Sequence, residues 1–247
     1  MENEQYERLA VLLKNSRKAV FFGGAGVSTE SGVKDYRSED GLYHTVKEYG
    51  VSPETILSHS FFMKHTDVFY DFYYKYFLKD SPAPNAAHRA LAELERRGSL
   101  AAVITQNIDG LHQKAGSKNV IELHGTVLEN SCMDCGRSFP TEKIAALEGK
   151  IPRCPICGGL IKPHVVLYEE QLPEEAINDA VESIINADLL IIGGTSLTVY
   201  PAAGFVRYYR GKELVLINRD ETAVDGEATF LLREPIGAVF SSVMRRI

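Results

Sequence analysis

The 247-residue chain has little of what would tie it to a membrane, an export route or a nucleic acid. No apolar run reaches the roughly 18 residues expected of a membrane-spanning helix. The N-terminus, MENEQYERLAVLLKNSRK, starts polar and acidic and has no basic segment followed by an apolar one, so no secretory signal is expected. Lys and Arg number 27 against 33 Asp and Glu, a net charge of −6 that leaves no basic excess to neutralise phosphates. That argues against nucleic acid as the main partner. The sequence has no internal repeat and no low-complexity tract. Cysteine is scarce, at four in all.

Those four form two pairs, Cys132-x-x-Cys135 and Cys154-x-x-Cys157, each followed by a glycine and separated by 18 residues. Two-residue spacing lets both thiolates of a knuckle face one ion, and the following glycine permits the tight turn. Two disulfides or four ordinary core thiols are the alternatives, and the clustering fits them less well. Four protein thiolates fill a tetrahedral zinc and leave no open position for water or substrate. One structural zinc ion is therefore expected, with the chemistry elsewhere. Cysteines arranged for metal, without an export signal, place the protein in a reducing cytoplasm.

Hydrophobic content of 45% and charged content of 24% are ordinary for a globular chain able to build a sizeable core. An amphipathic helix is expected from about Glu2 to Asn15, with Leu9, Leu12 and Leu13 on one face. Short apolar runs at Ala19 to Phe22, Ala101 to Thr105, Val120 to Leu123, Val165 to Leu167, Leu189 to Ile192 and Leu214 to Ile217 read as buried strands. Helical patterns at Asn85 to Arg97, Glu174 to Asn186, Pro201 to Tyr209 and Ile236 to Arg246 lie between or after them. Continuous apolar strands alternating with helices predict an α/β fold with a doubly wound parallel sheet. Two stretches break the alternation, one aromatic and His-rich and the other holding the cysteines. The division expected is 1–33, 81–124 and 164–247 for the large domain, with 34–80 and 125–163 as one small inserted module of helices and zinc ribbon.

Gly24-Ala25-Gly26 follows the first strand, as a phosphate-binding turn would. The first glycine permits the turn, and the second lets backbone approach a pyrophosphate closely. The third position of the G-x-G-x-x-G pattern is Thr29, so the fingerprint is incomplete. Four other strands run out into polar residues: Thr105-Gln106-Asn107-Ile108-Asp109, Glu122-Leu123-His124-Gly125, Gly193-Gly194-Thr195-Ser196 and Ile217-Asn218-Arg219-Asp220. Ligands of open α/β sheets bind outside those carboxyl ends. On such a rim His124 is the candidate general acid or base. The other six histidines, His44, His59, His65, His88, His112 and His164, show no metal-ligand spacing and are read as structural or surface residues.

Together these segments resemble the sirtuins, NAD-dependent protein lysine deacetylases, in their bacterial form. The resemblance runs from about residue 18 to 240. It is carried by Gly24-Ala25-Gly26-Val27-Ser28-Thr29 with Ser31-Gly32, Asp35-Tyr36-Arg37-Ser38, Thr105 to His112, Glu122 to Gly125, the cysteine pairs, Gly194 to Leu197, Pro201-Ala202-Ala203 and Ile217-Asn218. It implies a Rossmann-like domain binding NAD at its boundary with a small zinc module. Ala25, Thr29, Tyr36 and Arg37 match cofactor contacts. Gln106, Ile108 and Asp109 match positions around the nicotinamide pocket and its ribose, and Thr195, Ser196 and Asn218 contacts to phosphate and adenosine ribose. The segment at Pro235 and Ile236 falls where the family holds adenine. His124 matches the catalytic histidine, and Asn107 belongs to the same catalytic set. Acetyl-lysine proteins or peptides would lie extended between Val166-Leu167-Tyr168-Glu169 and Leu197-Thr198-Val199-Tyr200. The implied reaction moves acetyl from lysine to ADP-ribose, with nicotinamide released and NAD consumed.

Three departures bear on function. Lys34-Asp35-Tyr36-Arg37 stands where the family has Pro-Asp-Phe-Arg, and Tyr168-Glu169-Glu170 where it has Phe-Gly-Glu. Members that remove acidic acyl groups carry Tyr and Arg three residues apart in the aromatic helix, where this chain has Tyr70 and Tyr73. A neutral acyl group, acetyl first, is expected. Mono-ADP-ribosyl transfer, removal of longer neutral acyl groups and a silent NAD-binding or zinc-ribbon interaction protein are the competing readings.

Overall fold

The computed structural model describes residues 2–34, 46–80 and 82–247. The expected cofactor contacts Tyr36 and Arg37, together with Asp35, Ser38 and His44, lie outside the described residues. In chain order the strands are β1 (Ala19–Gly23), β2 (Leu100–Thr105), β3 (Val120–Glu122), β4 (Gly125–Cys132), β5 (Ser138–Pro140), β6 (Ile161–Val165), β7 (Leu189–Gly193), β8 (Glu213–Ile217) and β9 (Phe230–Leu232). The α-helices are α1 (Glu2–Asn15), α2 (Val46–Tyr49), α3 (Pro53–Ile56), α4 (His59–Lys64), α5 (Thr66–Tyr73), α6 (Ala86–Arg96), α7 (Leu111–Ala115), α8 (Thr141–Ala145), α9 (Glu174–Asn186) and α10 (Ile236–Met244). No helix among the described residues is long and apolar enough to cross a membrane.

Six strands form one sheet in the order β3-β2-β1-β7-β8-β9, every pair parallel. Successive side chains of a strand point to opposite faces, so an apolar run feeds two cores at once. Ala19, Phe21, Val103, Ile191 and Val215 join α1, α6 and α10 on one face. Val20, Phe22, Ile104, Ile192 and Leu216 join α9 and the 3₁₀ helix Ala202–Tyr208 on the other. The chain works outward from β1 through β2 to β3, then returns past β1 to β7 and continues through β8 to β9. That reversal puts a crevice above the carboxyl ends of β1 and β7, where open α/β sheets bind ligands.

The second body combines α3, α4, α5, α8 and a π-helical turn (Tyr74–Leu78) with the antiparallel sheet β5-β4-β6. They share a core of Ile56, Phe62, Phe69, Tyr70, Phe72 and Tyr73 with Val127, Ile144, Ile161 and Val165. One sequence expectation needs correction. The run Val165 to Leu167 adds no strand to the parallel sheet: only Val165 is in a strand, as the last residue of β6, which pairs antiparallel with β4. The sixth parallel strand is instead β9, three residues at the sheet edge, too short to show a period. The helical pattern at Pro201 to Tyr209 is a 3₁₀ helix, Ala202–Tyr208. Gly204 and the β-branched Val206 both weaken α-helix propensity there.

Candidate active site and metal centre

The sharpest constraint at the crevice is the approach of two loops. Gly23 of β1 sits beside Gly193 of β7, and the Gly26 N–H donates to the Gly194 carbonyl at 2.8 Å. A Cβ on Gly26 would lie 2.9 Å from the Gly194 Cα and carbonyl oxygen, and one on Gly24 would lie 2.9 Å from the Thr195 Cβ. Glycine is required here first by this loop-to-loop contact, beyond any approach of a pyrophosphate. Gln106 fastens the neighbouring loop: its N–H donates to the Gly23 carbonyl at 3.0 Å and its Nε2 to Thr195 Oγ1 at 3.0 Å. Thr29 Oγ1 donates to the Gly26 carbonyl at 3.1 Å, closing the turn that carries Ala25.

Behind this loop a buried hydroxyl ties three segments together. Ser28 Oγ donates to Asp109 Oδ2 at 2.7 Å and accepts from Asn107 Nδ2 at 3.0 Å. His88 Nδ1 accepts from the Asn85 N–H, which leaves the proton on Nε2, 3.5 Å from Ser28 Oγ. Asn85 caps α6 through the N–H groups of Ala87 and His88, and its Nδ2 donates to the Val27 carbonyl at 2.7 Å. Burial lowers His88 to about 4 and His112, whose ring centroid lies 4.7 Å from it, to about 3, so both are neutral. The sequence showed Ser28 only as a hydroxyl near a turn. Its partners are 79 and 81 residues away, and no local pattern reveals such pairing.

His124 follows β3, half-buried. Its Nδ1 lies 2.9 Å from the Gln106 carbonyl oxygen. A carbonyl can only accept, so Nδ1 carries the proton and Nε2 keeps its lone pair. Burial lowers the His124 pKa below its usual value, with the Gln106 carbonyl opposing. The ring is a neutral base at neutral pH. Nearby, burial raises Glu122 to about 7.

These groups open onto one cleft of about 1840 Å³ between the parallel sheet and the second body. Ala25, Thr29, Gln106, Asn107, Ile108, Asp109 and His124 line it, as do Thr195, Ser196 and Asn218. Pro235 and Ile236 also border it. On the far side lie Val166, Leu167, Tyr168 and Val199. The Val166 N–H donates to the His124 carbonyl at 2.9 Å, joining this wall to the histidine loop. Leu197 does not line the cleft. Its backbone takes a positive φ of 52°, and its side chain, 4% exposed, packs into the core beneath the sheet. Tyr70 and Tyr73 are each 1% exposed within the second body's core, and the Tyr70 hydroxyl donates to the Ile161 carbonyl. Neither reaches the cleft, so the acyl argument built on them has no contact to act through. One residue had no signal in the sequence: Arg233 donates to the carbonyls of Asn218 and Asp220 and pairs with Asp225, bracing the loop after β8.

The four cysteine sulfurs lie within 4.8 Å of one another, with Cys132 to Cys157 at 3.4 Å and Cys135 to Cys154 at 3.8 Å. Zinc–sulfur bonds of about 2.3 Å in a tetrahedron put sulfurs about 3.8 Å apart, so the thiols fit one ion. Gly136 and Gly158, at φ 68° and 79°, turn the two knuckles as expected. Their N–H groups donate back to the Cys132 and Cys154 carbonyls at 2.9 Å each.

The model of the Sir2 family matches residues 24–201. The chain is 51% identical over 241 residues to an NAD-dependent protein deacetylase of Clostridium acetobutylicum, covering 98% of both chains. It is 52% identical, with the same coverage, to one of Clostridium tetani. A solved Sir2 complex with a p53 peptide and NAD+ superposes with a TM-score of 0.85 at 39% identity, over 96% of each chain.

Proposed function

The chain belongs to the Sir2 family, and from that premise we propose how its cleft works as an NAD-dependent protein lysine deacetylase. The enzyme transfers acetyl from a lysine side chain to ADP-ribose and releases nicotinamide. NAD is a reactant here, and no hydride moves.

The observation that carries the reading is the tautomer of His124. With Nδ1–H committed to the Gln106 carbonyl, Nε2 is the ring's free base on a cleft large enough for a dinucleotide and a peptide strand. It takes the proton from a ribose hydroxyl, so that the oxygen can attack the acyl carbon. Asn107 is oriented by its bond to Ser28 and presents its remaining amide atoms to the same ribose. Ala25, Thr29, Gln106, Ile108 and Asp109 surround the nicotinamide end. Thr195, Ser196 and Asn218 take the phosphates and the adenosine ribose, and Pro235 and Ile236 sit by the adenine. Tyr36 and Arg37 complete the set by resemblance. The acetyl-lysine peptide lies along Val166 to Tyr168 and faces Val199, with backbone providing most of the recognition.

Cys132, Cys135, Cys154 and Cys157 would hold one zinc ion, which when bound crosslinks the two knuckles. With four protein ligands it has no position for substrate. We take 34–80 and 125–163 as the small module that it stiffens, against 1–33, 81–124 and 164–247, and place the protein in the reducing cytoplasm that such thiolates require.

The test is the stoichiometry of a reaction with NAD and an acetyl-lysine peptide. Nicotinamide, free-lysine peptide and O-acetyl-ADP-ribose should form in equal amounts, read by mass spectrometry. Nicotinamide released with an unacetylated acceptor that gains ADP-ribose would instead establish a transferase.

A further inference from the structure

Glu169 stands where the family pattern has glycine, and its backbone takes a φ of 76°, in the left-handed region that favours glycine. A side chain retained in that conformation needs a contact that offsets the strain. The contact is present. One Glu169 carboxylate oxygen accepts from the Ser60 N–H at 2.8 Å and the other from the Ser60 hydroxyl at 2.9 Å. Ser60 lies in the first turn of α4.

The same segment is attached to α4 through its backbone. The His59 N–H donates to the Tyr168 carbonyl at 2.9 Å, and the Tyr168 N–H to the Leu57 carbonyl at 3.0 Å. On the inner side Glu170 accepts from His59 Nδ1 at 2.8 Å, from Lys162 Nζ at 3.0 Å and from the Leu167 N–H at 2.9 Å. The cleft wall from Leu167 to Glu170 is thus held by two carboxylates that both reach the first turn of α4. Glu170 ties it to Lys162 of β6 and to His59 of α4, and Glu169 adds the tie to Ser60 of the same helix. Tyr168 sits between them, 42% exposed on the cleft edge.

We propose that Glu169 is a positioning residue for the protein substrate: its clasp on Ser60 keeps the segment Val166 to Tyr168 in the extended geometry that receives the peptide's main chain. This rests on the reading of Val166 to Tyr168 as the peptide-binding edge. Pre-ordering an edge strand lowers the entropy lost when a second strand docks, so the clasp acts on peptide affinity and not on the chemical step.

The test is steady-state kinetics of Glu169→Gly, Glu169→Gln and Ser60→Ala, varying acetyl-lysine peptide and NAD separately. Glu169→Gly relieves the strained φ and removes both bonds. It should raise the peptide KM roughly threefold to tenfold, with kcat and the NAD KM close to wild type. Glu169→Gln keeps an acceptor oxygen and should recover part of the loss. Ser60→Ala keeps the backbone donor and should show a smaller rise than Glu169→Gly. A residue that merely stabilises the fold would move the thermal midpoint without this split. An unchanged or lower peptide KM in Glu169→Gly, or an equal rise in both KM values, would overturn the clasp alone. Absence of peptide-dependent turnover in the wild type would overturn the functional reading and the clasp with it.

Discussion

Gly26→Ala puts the loop contact at the switch point to a quantitative test. The added methyl would sit 2.9 Å from the Gly194 Cα and carbonyl oxygen and 3.0 Å from its carbonyl carbon. Comfortable carbon–carbon separations are about 3.5–4.0 Å. The neighbours are backbone at the end of β7, so no side chain can rotate out of the way. Relief requires the two loops to part by roughly 0.6–1 Å. That would stretch the 2.8 Å Gly26–Gly194 hydrogen bond beyond its normal range. Overpacking of this kind costs about 1–3 kcal/mol. At roughly 2–4 °C per kcal/mol for a chain of this size, the thermal midpoint should fall by about 2–12 °C. The displaced loop carries Ala25 and Thr29, so the NAD KM should rise while the peptide KM changes little. Gly24→Ala should be destabilising too, because its methyl would sit 2.9 Å from the Thr195 Cβ, which the backbone holds in place, and 3.2 Å from the Gly194 carbonyl oxygen. Thermal unfolding and NAD titration of both variants measure this. A Gly26→Ala protein with wild-type midpoint and NAD KM would refute the reasoning.

Other outcomes follow from the same structure. Cys157→Ser should lose the metal, seen by elemental analysis, and with it both activity and thermal stability; full activity after complete zinc removal would contradict a structural role. The activity profile should fall on the acid side with an apparent pKa below 6.5, because protonation removes the base and burial pushes the His124 pKa down. Stability has its own acid dependence. His88 and His112 titrate near 4 and 3 in the folded protein but near 6.5 when unfolded, so between those values the unfolded state binds more protons. Stability should therefore decline as pH falls from about 6.5 toward 4, by up to roughly 1.4 kcal/mol per pH unit for each histidine. Glu122, raised to about 7 from 4.5, works the other way over its own window and offsets part of this. Denaturant unfolding of wild type and His112→Leu at pH 4.5 and 6.5 separates these contributions, and the variant should show the flatter dependence.

What could be read in the chain follows from burial. β1, β2, β7 and β8 are covered on both faces, so each is a continuous apolar run that identifies itself. β9 has only one strand neighbour and three residues, and Phe230-Leu231-Leu232 lies too close to charged Arg233 to show a period. Val165 and Val166 are as apolar as a sheet strand, but composition does not say which sheet a strand joins; β4 captures Val165, the first residue of that run. The rim residues were visible because each directly follows a strand, and chain position then implies place. Leu197 entered through the family resemblance as part of a peptide-facing segment; its side chain packs into the core, and its backbone takes a positive φ just past the end of β7. The Ser28 junction and the Arg233 brace lay beyond reach because they are made between segments distant in sequence.

The central claim is that His124 Nε2 is the base of a peptide-dependent reaction. Its most direct test is nicotinamide release from NAD, with and without an acetyl-lysine peptide, for wild type and His124→Ala. Wild type should release nicotinamide only when the peptide is present. The variant should form little free-lysine product, with a loss of roughly a hundredfold or more, while retaining a folded cleft that still binds NAD. Deacetylation by His124→Ala at the wild-type rate, or no peptide-dependent release by the wild type, would contradict the account.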